Sequence, residues 1–382
     1  MPDPYASASP PPDASPKPTA HVHAHKPPHH RPRFWRRLWQ HHAERRGLRW
    51  GLGLATVAAA VLTVVALRYG PSRVPEAAPA SVVEREGGGL PAVVPVSAAA
   101  PGRVTFRVRT PAASVPFSTF ALFAQPGEAV PVSAEGRAGR YTLTAPSGTV
   151  RPQGESKWLW TAPETPGPVR LTLREAGTGE TVTLQAIVRT PFDPRQTQIG
   201  TYRIGRYVLN PRDPVYAPPE GLIALTPETA NLQISPHFRL KDFRCKQPGG
   251  PPEFVLVNER LLVKLERLIE RLKAEGHAVS GLTVMSGYRT PHYNASIGNE
   301  TSLSAHLYGM AADVYVDEDG DGMLDDLDGD GQVTLNDAKV MHRIAETLDA
   351  DPEVRGGLGL YHANSVRGPF IHLDVRGQRA RW

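Results

Sequence analysis

The chain has 382 residues, enough for roughly two domains plus further segments, because a domain usually holds about 100–200 residues. Hydrophobic residues make up 40% of it, which excludes wholesale disorder; 39 prolines and 35 glycines indicate linkers and β-structure, and the single cysteine excludes a disulfide framework. Residues 1–49 hold nine Lys and Arg against three Asp and Glu, a surplus that accounts for the net charge of +5, so the nearly neutral remainder argues against a nucleic-acid partner.

The N-terminal region is predicted to be a cytoplasmic tail followed by a membrane anchor. Residues 1–46 are basic, rich in proline and poor in large apolar side chains, which predicts disorder. Residues 51–67 then run without a charge between Trp50 and Tyr69, which predicts a single transmembrane helix within residues 48–69. Basic residues lie on its N-terminal side, so we expect the C-terminal bulk to lie outside the cytoplasm.

Two features of this region leave alternatives open. The small residues 77–80 are typical of a signal-peptidase site, so the apolar run is either an anchor or a cleaved signal peptide, although the long tail before it favours an anchor. The histidines between His21 and His30 either bind metal or belong to a solvated tail. Residues 70–100, rich in proline, alanine, valine and glycine, are predicted to be a linker.

The middle of the chain changes to short alternating strands bounded by turns. Residues 101–190 contain apolar residues with a period of two, which predicts a β-sandwich of immunoglobulin-like size. The five clearest strands are predicted at residues 104–109, 141–144, 158–160, 169–174 and 181–188. No chemistry is expected there, and the predicted role is a spacer or docking module. Residues 191–231 are predicted to be a connector.

The C-terminal region, residues 232–382, begins with a strong helix signal. Leucine and isoleucine recur at i, i+3 and i+4 between Asn258 and Glu275, with Asn258 as the predicted cap and Gly276 at the end. This pattern predicts an amphipathic helix packed on a sheet. Its apolar face is expected to be core and not a cofactor site.

Residues with catalytic or metal-binding chemistry follow in three stretches: 286–291, 304–316 and 368–376. An aspartate at the start of an apolar strand, such as Asp313, is costly to bury unless it is paired or bound to metal. Two imidazoles and one carboxylate form a common ligand set for catalytic zinc. His306, Asp313 and His372 therefore predict either a zinc site or buried histidines beside a salt-bridged aspartate.

The second stretch resembles a known family. Ser304, His306, Gly309, Ala311 and Asp313 match S-x-H-x-x-G-x-A-x-D, the motif of zinc D-Ala-D-Ala carboxypeptidases and murein endopeptidases, the LAS metallopeptidases. Three further features resemble the same family in the same order: the stretch that holds Arg289, the His-x-Asp at His372 and Asp374, and the final Trp382. The resemblance covers residues 232–382 and implies an α+β zinc peptidase domain, an antiparallel sheet with helices.

The resemblance also implies roles for the matching residues. Zinc would be held by His306, Asp313 and His372. Arg289 would bind a substrate carboxylate or carbonyl oxygen, a task suited to a guanidinium, or alternatively form a structural ion pair. Many family members have Glu or Asp three residues before the last histidine ligand, where this chain has Pro369.

Asp374 is our predicted substitute for that missing general base, although it could instead orient a ligand imidazole. Substrate-binding roles are predicted for Ser304 and Tyr288, with His292 and Asn294 expected nearby in the cleft. Tyr288 and Asn294 could equally be turn or packing residues. Cys245 is expected to be a buried free thiol.

An acidic insert, residues 317–337, fits the calcium-loop template in two overlapping registers. Because the registers share two aspartates, we expect one compact insert stapled by Ca²⁺ rather than two EF-hands, or else a solvated acidic loop. A helix is predicted directly after it, at residues 335–348. The candidate ligands are Asp317, Asp319, Asp321, Asp325, Asp326, Asp328, Asp330 and Asp337.

These observations predict a single-pass protein of a bacterial inner membrane with its C-terminal domains in the periplasm. Its predicted activity is zinc-dependent hydrolysis of peptidoglycan stem peptides, either as a D-Ala-D-Ala carboxypeptidase or as a cross-link endopeptidase. The alternatives are a non-catalytic, membrane-anchored peptidoglycan-binding module and, less favoured, a calcium-regulated scaffold.

Overall fold

The computed structural model describes residues 102–209, 212–299 and 301–382, all within one folded unit. The predicted tail (1–46), the predicted anchor (48–69) and the predicted linker (70–100) lie outside the described residues. Among the residues that are described, no helix has both the length and the apolar character needed to cross a bilayer.

Nine strands between residues 103 and 188 form two sheets, and all five strands predicted for this region are present. The first sheet has the order β2-β1-β4-β7-β6 and the second has the order β3-β9-β8-β5. Neighbouring strands are antiparallel, except that β3 and β9 are parallel. The strands are β1 (Arg103–Arg109), β2 (Ser114–Phe117), β3 (Thr119–Ala124), β4 (Ala129–Glu135), β5 (Tyr141–Thr144), β6 (Thr149–Gly154), β7 (Lys157–Thr161), β8 (Gly167–Glu175) and β9 (Thr181–Val188).

The period of two in the sequence explains how these sheets bury their inner faces. In β8, Leu171 and Leu173 are buried whereas Arg170 and Arg174 are exposed. The two sheets meet through aromatic contacts such as the edge-on pair of Phe106 and Tyr141, whose ring centroids lie 5.0 Å apart. An immunoglobulin-like relationship stays a prediction.

The predicted connector packs against the domain that follows it. Tyr202, Ile204 and Tyr207 are buried, and the Tyr207 hydroxyl donates to the carbonyl of Leu307 at 3.1 Å. This segment therefore supports the turn that carries His306. Its elements, with those that lead into the C-terminal domain, are β10 (Thr190–Pro191), β11 (Gln198–Ile199), β12 (Tyr202–Arg203), β13 (Gly221–Ala224), α1 (Pro227–Ala230) and β14 (Phe254–Val255), with 3₁₀ turns at Pro214–Tyr216 and Leu240–Phe243.

The C-terminal domain is built on a five-stranded sheet of order β15-β16-β18-β17-β19. The expected antiparallel arrangement is correct for four strands but not for β19, which is parallel to β17. After β18 the chain reverses once and reaches the far edge of β17, which gives β19 the direction of β17. The elements are α2 (Glu259–Ala274), β15 (Thr283–Ser286), α3 (Pro291–Ser296), β16 (Ala311–Tyr315), α4 (Leu335–Thr347), β17 (Gly357–Tyr361), β18 (Phe370–Asp374) and β19 (Ala380–Arg381), with 3₁₀ turns at Ala305–Tyr308 and Leu348–Ala350.

Helix α2 forms where it was predicted, and it contacts both the β-strands of residues 103–188 and the sheet of the C-terminal domain. Asn258 Oδ1 accepts the Arg260 N–H at 2.9 Å as the cap, and Leu261 and Leu265 are fully buried. At its start, Glu259 accepts the Phe123 N–H of β3 at 3.1 Å. In its middle, the buried Lys264 donates to the carbonyl of Asp374 at 2.9 Å. The helix therefore fixes the end of β18 from behind.

Gly309 is required by both conformation and space. It ends the turn at Ala305–Tyr308 with φ +65°, and a Cβ atom there would lie 2.5 Å from the Leu256 carbonyl oxygen. We expect Gly309→Ala to destabilise the protein by about 2 kcal/mol or more, because it adds left-handed strain to a backbone clash. Thermal unfolding followed by circular dichroism should show a midpoint lower by roughly 4–8 °C.

Gly281→Ala is the matched control, since a Cβ there meets no atom within 4 Å and the backbone is not left-handed. Equal midpoints for the two variants would contradict the packing assigned to Gly309.

Candidate functional site

The register of two neighbouring strands brings the predicted metal ligands together. Asp313 of β16 is the direct cross-strand partner of His372 of β18. His306 lies on the 3₁₀ turn just before β16, where Ser304 occupies the N-cap position and Gly309 reverses the chain. A strand pair and the turn that precedes it therefore position all three side chains.

Three potential ligand atoms of these residues form a small triangle. His306 Nε2 lies 3.1 Å from His372 Nδ1 and 3.3 Å from Asp313 Oδ1, and the third edge, between His372 Nδ1 and Asp313 Oδ1, is 2.9 Å. All three side chains are buried. For comparison, nitrogen and oxygen ligands about 2.0–2.2 Å from a tetrahedral zinc ion lie roughly 3.3–3.6 Å from one another.

The outer ring nitrogens determine what this triangle can bind. His306 Nδ1 lies 2.7 Å from the carbonyl oxygen of Gly287, and His372 Nε2 lies 3.1 Å from Asp374 Oδ2. The Gly287 carbonyl and the Asp374 carboxylate are acceptors, so each requires a proton on the ring nitrogen that faces it. This requirement assigns the tautomer of each imidazole when it is neutral. The inner nitrogens then have lone pairs that face each other and a carboxylate. Such a buried set repels itself unless a proton on His372 Nδ1 or a cation lies between the three atoms, and two imidazoles with one carboxylate are a donor set that fits a zinc ion.

The electrostatic environment favours a neutral His306 and an ionised Asp313. Burial lowers the pKa of His306, which favours the neutral ligand form. Burial raises the pKa of Asp313, but the neighbouring His306 and His372 outweigh burial and hold it well below its usual value. A carboxylate and a neutral imidazole are the forms that bind metal. Burial lowers the pKa of His372, but its hydrogen bonds to Asp313 and Asp374 outweigh burial and raise this pKa, so a metal ion would displace a proton there.

The surroundings of Asp374 favour the orienting role that was given as its alternative over the role of general base. It is fully buried, and its Oδ1 accepts N–H groups from Gly357 at 2.7 Å and from Arg376 at 3.1 Å. Its Oδ2 interacts with His372, and the Arg376 guanidinium donates to both oxygens. Burial raises the pKa of Asp374, but hydrogen bonds from His372 and Arg376 outweigh it and lower this pKa far below its usual value. The geometry matches the alternative interpretation, in which Asp374 orients His372.

Arg289 lines the cavity beside the triangle but is already engaged. Its Nη2 donates to Asp313 Oδ2 at 2.5 Å, and its Nε donates to Ser286 Oγ at 2.8 Å. The structural ion pair considered for this residue is therefore present. The guanidinium holds the carboxylate of a candidate ligand and has Nη1 left for a substrate.

The four predicted cleft residues divide between several environments. Ser304 lines the cavity, as predicted. Tyr288 does not: it is 1% exposed and packs behind the site, where its hydroxyl lies 2.8 Å from the Tyr207 hydroxyl. Asn294 is also buried, and its Nδ2 donates to the carbonyl of Asn299 at 2.7 Å. His292 lines a separate cavity of about 350 Å³. Tyr288 and Asn294 therefore occupy the packing positions that were their alternative, and His292 lies outside the cavity beside the triangle.

The cavity above the triangle has a volume of about 570 Å³. One wall is aromatic: Tyr361 stacks on Phe370 with ring centroids 4.6 Å apart, and Trp382 Nε1 donates to Tyr361 Oη at 2.7 Å. Sequence reasoning missed this wall, together with Arg367 and Arg376, which also line the cavity. Two features of the sequence could have predicted this wall. The period of two places Phe370 on the same face of its strand as His372, and Trp382 was considered only for its resemblance to the family and not as part of the cavity.

The acidic insert brings two groups of carboxylates together. Within each group one oxygen of every member lies within 4.8 Å of the others, but Asp321 and Asp337 belong to neither group. Asp337 is fully buried at the third position of α4, where it forms a capping box with Thr334 and accepts the N–H groups of Leu327 and Thr334. Calcium binding stays a prediction. The groups are Asp317, Asp319 and Asp325, and Asp326, Asp328 and Asp330.

A substitution of Asp374 distinguishes a role in orienting His372 from a role in proton transfer. We expect Asp374→Asn to weaken zinc binding by about 10–100-fold, because His372 loses the carboxylate that orients its ring. Competition with a chromophoric chelator measures the affinity. His306→Ala provides the background from the histidines near the N-terminus, and circular dichroism checks folding. Unchanged zinc affinity with lost hydrolysis would instead support the general-base interpretation.

Comparison with known proteins gives one family match. The model of the Peptidase M15 family matches residues 236–327, a segment that includes His306 and Asp313 and ends before His372. No curated protein matches the chain. The match confirms the family suspected from the motifs, and residues 236–327 are the segment that it covers.

Proposed function

We propose that this protein is a zinc-dependent peptidase that hydrolyses peptidoglycan stem peptides. The observation that carries the proposal is the buried triangle of His306, Asp313 and His372 at the floor of an open cavity. A site that only held the fold together would use four protein ligands, whereas a catalytic zinc site keeps a position open. Zinc bound there supplies a Lewis acid that polarises a carbonyl and activates water.

Residues around the triangle would bind and orient the peptide. Arg289 is fixed by Asp313 and Ser286, so its Nη1 is a preorganised donor for a carbonyl oxygen in which negative charge develops. Tyr361 Oη accepts a hydrogen bond from Trp382 and keeps its own proton to donate into the cavity. Fixed donors of this kind need no reorganisation during the reaction, which is why they favour the transition state over the substrate.

The substrate class and the location are also part of the proposal. Peptidoglycan is inferred from the motifs that resemble D-Ala-D-Ala carboxypeptidases and murein endopeptidases. A periplasmic site is supported by the uncharged run at residues 51–67 with basic residues before it. We propose a single-pass inner-membrane anchor that keeps the peptidase beside its substrate.

One observation favours a second candidate, a peptidoglycan-binding module without hydrolysis. Among the described residues that line the cavity, Asp313 has the only acidic side chain, and it is held by Arg289 and the histidines. Both carboxylate oxygens of Asp374 already accept hydrogen bonds, from Gly357 and from Arg376. A proton acceptor for the attacking water is therefore the missing part of the catalytic proposal.

Incubation of the full-length, zinc-loaded protein with purified peptidoglycan distinguishes the two candidates. We expect mass spectrometry to show either loss of terminal alanine from pentapeptides or conversion of cross-linked dimers into monomers. His306→Ala should reduce product release to the level seen without protein, because it removes a ligand from the triangle. His292→Ala, which alters a histidine of the separate cavity, should retain the activity.

If the wild-type protein sediments with peptidoglycan but releases no more product than His306→Ala, the hydrolase proposal fails. The binding-module proposal would then replace it.

A further inference from the structure

Three arginines line the cavity, and only one of them has no acidic partner. Arg289 pairs with Asp313 at 2.5 Å, and Arg376 pairs with Asp374 at 2.5 Å. Arg367 has neither an ion pair nor a side-chain hydrogen bond among the described residues. An arginine side chain remains charged at every physiological pH, so the cavity carries an uncompensated positive charge at this position.

The Arg367 side chain is nevertheless held in place. Its guanidinium carbon lies 4.3 Å from the ring centroid of Phe370 and 5.7 Å from that of Tyr361. Its backbone is fixed by Asn364, whose N–H donates to the Arg367 carbonyl at 2.9 Å and whose Oδ1 accepts the Arg367 N–H at 3.1 Å. Stacking of a guanidinium on an aromatic ring leaves its in-plane N–H groups free for a planar acceptor.

The position of this charge relative to the triangle follows from the strand geometry. Phe370 and His372 lie two residues apart on β18, so their side chains share one face of the sheet and lie about 7 Å apart along the strand. The guanidinium stacked on Phe370 is therefore about two residues of an extended chain away from the candidate zinc ligand His372, within reach of a short peptide that lies across the triangle.

The acidic insert does not neutralise Arg367. Met323 of the insert packs through apolar atoms against Gly368, the residue after Arg367, since a Cβ at Gly368 would lie 3.0 Å from Met323 Cε. None of the insert's described carboxylates lies within ion-pair distance of the guanidinium. Together with the cation that the triangle fits, Arg367 makes this end of the cavity a place for an anion.

We propose that Arg367 is a specificity-determining residue that binds a free carboxylate of the peptide substrate close to the scissile carbonyl. The inference rests on the proposed peptidase function and makes its substrate class more specific. Arg289, which is already paired, is assigned the carbonyl oxygen. The carboxylate is either the C-terminal α-carboxylate or the side-chain-borne carboxylate of a cross-linking diamino acid, two sources of the same chemistry.

The test compares peptides that differ only in this charge. Stem pentapeptides with a C-terminal carboxylate or a C-terminal amide, and cross-linked peptides with the diamino-acid carboxylate free or amidated, are given to the full-length, zinc-loaded protein. We expect one of the two amidations to raise KM by about 10–100-fold with a smaller effect on kcat, because a charge-assisted hydrogen bond is lost in binding. The amidation that has this effect identifies the source.

Arg367→Gln should remove the preference for the carboxylate and leave amide substrates almost unaffected, whereas Arg367→Lys should keep part of it. Arg203→Gln is the matched control, an exposed arginine at the separate cavity. Equilibrium binding of the same peptides, followed by fluorescence anisotropy, tests the inference even if no bond is cleaved. A preference that persists in Arg367→Gln, or a wild-type protein with no preference in either peptide pair, overturns the inference.

Turnover that is equal for acid and amide would overturn only the role of Arg367 and would leave the peptidase proposal intact. Binding that depends on Arg367 without turnover would support the role of Arg367 and reject hydrolysis.

Discussion

The site depends on one electrostatic constraint: three lone-pair atoms that point at one another inside the protein. Asp374 and the Gly287 carbonyl fix the protons of the two imidazoles on their outer nitrogens, which leaves the inner nitrogens of His306 and His372 facing a carboxylate oxygen at 2.9–3.3 Å. No arrangement of neutral side chains satisfies that set. A cation between the atoms does, and the Peptidase M15 match at residues 236–327 supports zinc as that cation.

The rest of the domain holds these atoms in position. The cross-strand pairing of Asp313 with His372 sets one edge of the triangle, and the turn closed by Gly309 sets the other two. Behind the sheet, Lys264 of α2 holds the Asp374 carbonyl, while Arg376 holds its carboxylate. His372 and Asp313 are thus oriented by Asp374 and Arg289, which are themselves hydrogen-bonded, the usual way in which proteins fix a metal site.

The sequence predicted the parts of the site that follow local rules. The ligands could be identified because a charged residue at the start of an apolar strand needs a partner, and helix α2 because its apolar period and cap are local signals. The sequence left Asp374 open between a general base and an orienting residue, because the choice depends on contacts such as the N–H of Gly357 from the neighbouring strand. Arg367 was missed for a similar reason: whether an arginine has an acidic partner is decided by packing and not by its neighbours in sequence. The predicted tail and anchor lie outside the described residues, and the calcium insert stays a prediction.

X-ray absorption at the zinc edge, on the full-length protein and on His306→Ala, tests whether these three side chains bind zinc. We predict one four-coordinate zinc per chain that is lost in His306→Ala, with only nitrogen and oxygen ligands at about 2.0–2.2 Å and the scattering pattern of two imidazoles. A spectrum that is unchanged by the substitution, or one that contains a sulfur ligand, would contradict the claim that His306, Asp313 and His372 form the metal site.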